Sequence, residues 1–173
     1  MKEHLPALLI VVPLIAAPIC LFIRNKSVVR IFAMLVAWTC LAIAWSILGT
    51  VIDPLQGPIN YHMGGWSMPV GIELSIDAAN AFVLLIVAGI AAVVMPFGVG
   101  HPGLAGPEGK QHLFYAALLL CMTGLMGIAI TGDLFNIFVF LEITSLSSYA
   151  LIAMGDHRRA KMAAYTYLIM GTI

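Results

Sequence analysis

The stretch Gly132–Gly155, GDLFNIFVFLEITSLSSYALIAMG, decides what kind of molecule this is. From Leu134 to Met154 it holds one charged side chain, Glu142. A helix needs about 20 apolar residues, at 1.5 Å each, to cross the roughly 30 Å of a bilayer's hydrocarbon, and this run has the length. Gly155, Asp156 and His157 close it, and Gly132 and Asp133 turn the chain before it.

Working outward, the same pattern recurs. Residues 113–131 form the span immediately before it, 78–95 another that opens behind Ser75 or Asp77 as N-cap and closes at Pro96 and Gly98, and 31–52 one ended by Asp53 and Pro54. Residues 5–23 form the first span, closed by Arg24, Asn25 and Lys26; Pro13 and Pro18 inside it predict local kinks of the kind a bundle tolerates. It lacks the cleavage pattern of a signal peptide. Residues 162–173 are apolar but reach only about 18 Å as a helix, so they are the start of a sixth span. A span ending in mid-bilayer would leave carbonyls unpaired in lipid, and the sequence therefore reads as the N-terminal part of a longer protein. The fold class is all-α: a polytopic transmembrane helix bundle.

Composition agrees. Of 173 residues, 62% are hydrophobic and 9% charged, with mean hydropathy +1.05, against about 25% charged residues in soluble domains. Eight basic and eight acidic residues cancel, which excludes a nucleic-acid-binding surface. Cys20, Cys40 and Cys121 lie in apolar runs without metal spacing and behave as small core residues.

Lys and Arg collect in alternate loops: Arg24, Lys26 and Arg30, then Lys110, then Arg158, Arg159 and Lys161, against Lys2 alone on the other side. The excess marks the cytoplasmic face, so the N-terminus is expected outside. The three clustered at 158–161 are topology determinants. On the outer side, Ile72, Leu74 and Ile76 alternate with small or polar neighbours, predicting a β-hairpin over Tyr61–Ile76 that turns near Gly64 and Gly65 and caps the bundle. The Gly- and Pro-rich segment from Phe97 to His112 is expected to be a flexible connection.

Glu142 stands apart chemically. It lies about eight residues, or 12 Å, into its span, and a charge at the centre of a membrane helix costs about 2.5–3.5 kcal/mol on insertion scales. It must therefore face protein or water, be partnered, or carry a proton. Burial favours the protonated form of a carboxyl and a nearby cation the ionised one, which is the chemistry of a proton or cation relay; a purely structural salt bridge is the competing role. Phe135, Phe138, Ser145, Leu146 and Tyr149 share its face, a mixture that suits packing against other helices. Thr144, Ser147, Ser148 and Asn136 give the other faces hydroxyl and amide groups that can bond across helices or to their own carbonyls. Asp77 and Asp133 sit where helices begin and are expected to cap them. They, Ser145 and Tyr149 are secondary site candidates. His62, His101, His112 and His157 lie in loops without metal spacing, and no P-loop, GxGxxG, GxSxG or HExxH occurs. No metal and no cofactor is expected.

The run from Gly132 to Glu142, continuing through Ser148–Gly155, resembles span five of the antiporter-like membrane subunits shared by Mrp-type cation/proton antiporters and respiratory complex I. Tyr61–Trp66, Pro69–Leu74 and Asp77 resemble that family's outer hairpin and third-helix entry, and Tyr167–Ile173 its sixth-helix start. The likeness is nearest to the D-type member of the Mrp antiporters, and it is weak in the first two spans. The resemblance implies a proton-translocating subunit in which the span-five glutamate pairs with a lysine on span seven. Glu142 is the one such residue that carries over; the lysine falls beyond Ile173. The function implied is a proton-carrying subunit of a multisubunit Na⁺ or K⁺/proton antiporter, partnered by other membrane subunits and the bilayer. The alternatives are the equivalent subunit of a redox-driven pump, such as an NADH-quinone oxidoreductase or a membrane hydrogenase, and a scaffold subunit that transports nothing.

Overall fold

Each helix begins where the local chemistry lets it. α1 (Leu5–Phe22) opens with Pro6 in its first turn, where a missing N–H leaves no intrahelical bond unmade, and it continues through both Pro13 and Pro18. α2 (Lys26–Ile52) starts five residues before the apolar span at Ile31, because the Asn25 side chain accepts the Ser27 N–H at 3.0 Å and caps it there. Lys26 and Arg30 are thus helical. α3 (Ala78–Phe97) is capped by Asp77, whose carboxylate accepts the Asn80 N–H at 2.7 Å, and it runs past Pro96 instead of closing at it. α4 (Gln111–Ile130) takes in His112, so this histidine belongs to a first helical turn and not to a loop. α5 (Leu134–Ala153) and α6 (Ala160–Thr172) complete the order. The computed structural model describes residues 4–53, 57–65, 71–97, 110–155 and 157–172. The connection expected from Phe97 to His112, with His101, lies for the most part outside them, as do Trp66, Pro69, Val70 and Asp156.

Five helices, α1 to α5, are long and apolar enough to cross a membrane. α4 is the central one and packs against α1, α2, α3 and α5. α2 and α3 pack along each other, and their buried faces are rich in small side chains: Ala33, Ala37, Cys40 and Ala44 on α2, and Ala81, Ala88 and Ala92 on α3. Small residues at this spacing let membrane helices approach closely, where dispersion contacts replace the absent hydrophobic drive. The outward faces carry large apolar side chains, among them Trp38, Trp45, Ile90 and Val93, as a lipid-facing surface would.

At one end the chain forms an antiparallel hairpin of β1 (Ile59–His62) and β2 (Glu73–Ile76), paired Ile59 to Ile76, Asn60 to Ser75, Tyr61 to Leu74 and His62 to Glu73. It begins two residues earlier than the sequence pattern suggested. Gly64, at φ 72°, supplies the left-handed backbone in a short 3₁₀ turn over Met63–Gly65. Three contacts fasten the hairpin to the bundle. Leu74 forms a β-bridge with Thr131, the Gly132 N–H donates to the Glu73 carbonyl at 3.0 Å, and Tyr61 bonds His4 through its hydroxyl at 3.1 Å. Leu74 and Ile76 are fully buried beneath it. The hairpin therefore caps the start of α1, the end of α4 and the start of α5 together.

Candidate functional site

α5 is positioned from its start. The Asp133 carboxylate accepts the Phe135 N–H at 3.1 Å and the Asn136 side-chain amide at 3.3 Å, while the adjacent Gly132 is held by the hairpin. α4 then fixes the helix's rotation. Gly124 has the Thr144 side chain and the backbone of Phe140 and Thr144 where a Cβ would stand, and Gly127 has the Phe140 ring. α5 lies so close that only glycine fits at these two positions.

The hydroxyls on that side turn back onto their own helix. Thr144 donates to the Phe140 carbonyl at 3.0 Å, Ser147 to Ile143 at 2.6 Å and Ser148 to Thr144 at 2.8 Å, so their polar groups are satisfied without water. One contact crosses helices, between Ser148 Oγ and Cys121 Sγ at 3.6 Å.

Glu142 lies two residues from both Phe140 and Thr144, about 200° around the helix, and so points away from α4. It is partly exposed and has neither a hydrogen-bond nor an ion-pair partner among the described residues. Within this chain the face it shares is uncovered: Phe135 is 71% and Phe138 61% exposed, and Leu146 is exposed as well. Ser145 is partly buried. The reason is geometric, since α4 covers one side of α5 and α6 reaches the other only near Tyr149. There the Tyr149 ring meets Tyr167 edge-on, centroids 5.5 Å apart, and its hydroxyl occupies the space beside Gly171. Glu142 sits about 10 Å from Tyr149 along α5, toward the hairpin end.

Asp77 and Asp133 do not join Glu142. Both lie at the hairpin end as caps, Asp133 about 14 Å along α5 from Glu142. Among the described residues no three His, Cys, Asp or Glu side chains come together as a metal site. Sequence reasoning passed over a second polar pair. Tyr115 of α4 is fully buried, and its hydroxyl and the buried Nε of Arg30 on α2 both lack a hydrogen-bond partner among the described residues. The arginine's position in the first turns of α2 was the available signal.

Comparison with known proteins follows this geometry closely. No family model matches the chain. It is 42% identical over 178 residues, 99% of its own length, to NADH-quinone oxidoreductase subunit N of Desulforudis audaxviator (strain MP104C). It is 28% identical over 165 residues, 95% of its length, to the D-type Na(+)/H(+) antiporter subunit of Bacillus subtilis (strain 168). The fold superposes on a chain of the membrane-bound sulfane sulfur reductase (MBS), an archaeal respiratory membrane complex, with TM-score 0.86, 30% identity and 98% of this chain covered. The chain belongs to the antiporter-like membrane subunit family. The Mrp complex from Dietzia sp. DQ12-45-1b gives TM-score 0.84 at 26% identity over 99% of the chain. This antiporter-like chain spans about a third of each relative: 34% of the oxidoreductase subunit, 32% of the antiporter subunit, and 34% and 32% of the two solved chains.

The antiporter-like chain is also electrically polarised. Its described acidic residues outside mid-span, Asp53, Glu73, Asp77 and Asp133, all lie at the hairpin end. Arg24, Lys26, Arg30, Lys110, Arg158, Arg159 and Lys161 all lie at the opposite end.

Proposed function

We propose that this chain works as the N-terminal part of a proton-translocating subunit in a multisubunit membrane complex, with Glu142 as an intramembrane proton carrier. The observation that carries this is Glu142 itself: a carboxyl in mid-span, turned away from α4 and without a partner among the described residues. A charge so placed is costly unless it is neutralised by a proton or met by a cation, and a group that alternates between those two states moves protons. The hydroxyls of Thr144, Ser147 and Ser148, on other faces of α5, are already bonded to carbonyls of their own helix, and the carboxyl is the acidic group of the span. With the basic end on the cytoplasmic side, the N-terminus and the hairpin lie outside, in a bacterial plasma membrane.

Two driving forces fit such a subunit: exchange against Na⁺ or K⁺, and electron transfer in neighbouring subunits. Identity supports the second beside the first, since it is 42% to an NADH-quinone oxidoreductase subunit and 28% to an antiporter subunit. Everted vesicles bearing the intact assembly separate them. Collapse of a preformed ΔpH on adding Na⁺ or K⁺ marks exchange, and acidification that requires an electron donor marks a redox pump. Substitution of Glu142 by Gln abolishes whichever is found while blue native gels show the complex still assembled. Retained ΔpH activity together with a lost complex would instead make the chain a scaffold.

A further inference from the structure

α1 and α5 both pack on α4 but hardly on each other, and between them runs a groove of about 560 Å³. Its floor is Ala116, Ala117 and Leu120 of α4, and its walls include Leu14 and Leu21 of α1 and Leu146 of α5. The volume falls in the roughly 300–1,000 Å³ range of sites that enclose a small molecule. Its lining is almost wholly apolar, and every residue that forms it comes from the halves of α1, α4 and α5 farthest from the hairpin. The groove therefore occupies one leaflet.

What stands at its mouth indicates the occupant. Arg24 lies three residues beyond Leu21 and Lys110 three before Leu113, so two of the helices that line the groove carry an exposed cation about one turn past it. Neither has a carboxylate partner among the described residues, and the described acids lie at the other end of the bundle or in mid-span. We infer that this groove holds an anionic phospholipid, with an acyl chain against α4 and its phosphate at the cationic mouth. An apolar slot of one-leaflet depth suits a chain, and each Lys or Arg near an anionic headgroup adds attraction that a zwitterionic lipid does not return. The inference holds for either orientation of the bundle and does not depend on proton transport.

The test uses the intact protein in its native assembly, photolysed in vesicles that contain a diazirine-tailed phosphatidylglycerol or the same probe on phosphatidylcholine. Label is expected on the peptides that carry Leu21, Leu113 and Leu146, about tenfold more from phosphatidylglycerol. Replacing Arg24 and Lys110 together by Gln leaves the apolar walls in place and removes that preference. The ratio between the two probes on the unmodified protein does not depend on the variant folding. Equal labelling by both lipids overturns the inference. So does a photoreactive residue at Ala117 that captures a protein segment in place of lipid.

Discussion

The hydroxyl of Tyr149 on α5 fills the space beside Gly171 on α6, so that a Cβ at Gly171 would have to displace it. This contact, with the Tyr149–Tyr167 ring pair, is where α6 engages the face that carries Glu142. Because the obstructing atom is the end of a side chain, Gly171→Ala moves the tyrosine instead of breaking the helix pair. A modest loss is predicted, about 1 kcal/mol, restored by Tyr149→Phe in the same chain. Thermal unfolding of the detergent-solubilised complex, read as a double-mutant cycle, measures it.

Gly124 is a harder case. Its missing Cβ faces backbone atoms of Phe140 and Thr144, which cannot step aside. Gly124→Ala should force α5 away from α4 and cost about 1–3 kcal/mol, the usual range for overpacking. Gly89 of α3 has open space around it, and Gly89→Ala should be neutral or slightly stabilising, since alanine is the better helix former by about 1 kcal/mol. Comparing the two unfolding temperatures removes effects common to any Gly→Ala change. Equal effects would contradict the close approach.

Asp133 acts through the helix start. Asp133→Ala removes the bonds to the Phe135 N–H and the Asn136 amide and should destabilise by about 0.5–2 kcal/mol, while Asp133→Asn should recover most of it. If Asp133 handled ions, Asn would fail as badly as Ala in a vesicle ΔpH assay with normal assembly. The capping role predicts that it does not.

The hairpin's hold on the bundle rests on Leu74, fully buried and bridged to Thr131. Leu74→Ala should cost about 2–5 kcal/mol locally. Limited proteolysis of the detergent-solubilised complex should then cut within residues 59–76 many times faster, with the distal ends of α4 and α5 still protected.

Much of this architecture was legible in the sequence because membrane spans are set by length and apolarity, which a single chain displays directly. The five spans follow from those two properties, and the hairpin from the alternation of Ile72, Leu74 and Ile76. What escaped reading depends on contact between distant residues. The His4–Tyr61 bond and the Leu74–Thr131 bridge join segments whose sequences carry no sign of one another. Gly124 and Gly127 are ordinary in an apolar helix until Phe140 is placed on them. Helical periodicity likewise says which residues share a face, here Phe135, Phe138 and Leu146 with Glu142, but not which helix covers it. The start of α2 was missed because apolarity locates the hydrocarbon segment, whereas the Asn25 cap sets where the helix begins.

The most direct test of proton carriage by Glu142 is the ΔpH signal of a pH-sensitive dye in everted vesicles that hold the intact complex, comparing the native protein with Glu142→Gln and Glu142→Asp at matched amounts of assembled complex. Gln keeps the shape and removes the exchangeable proton; Asp keeps the proton and shortens the reach. The predicted result is a signal at background for Gln and a reduced but measurable one for Asp. Gln vesicles that equal the native ones would contradict the role of Glu142.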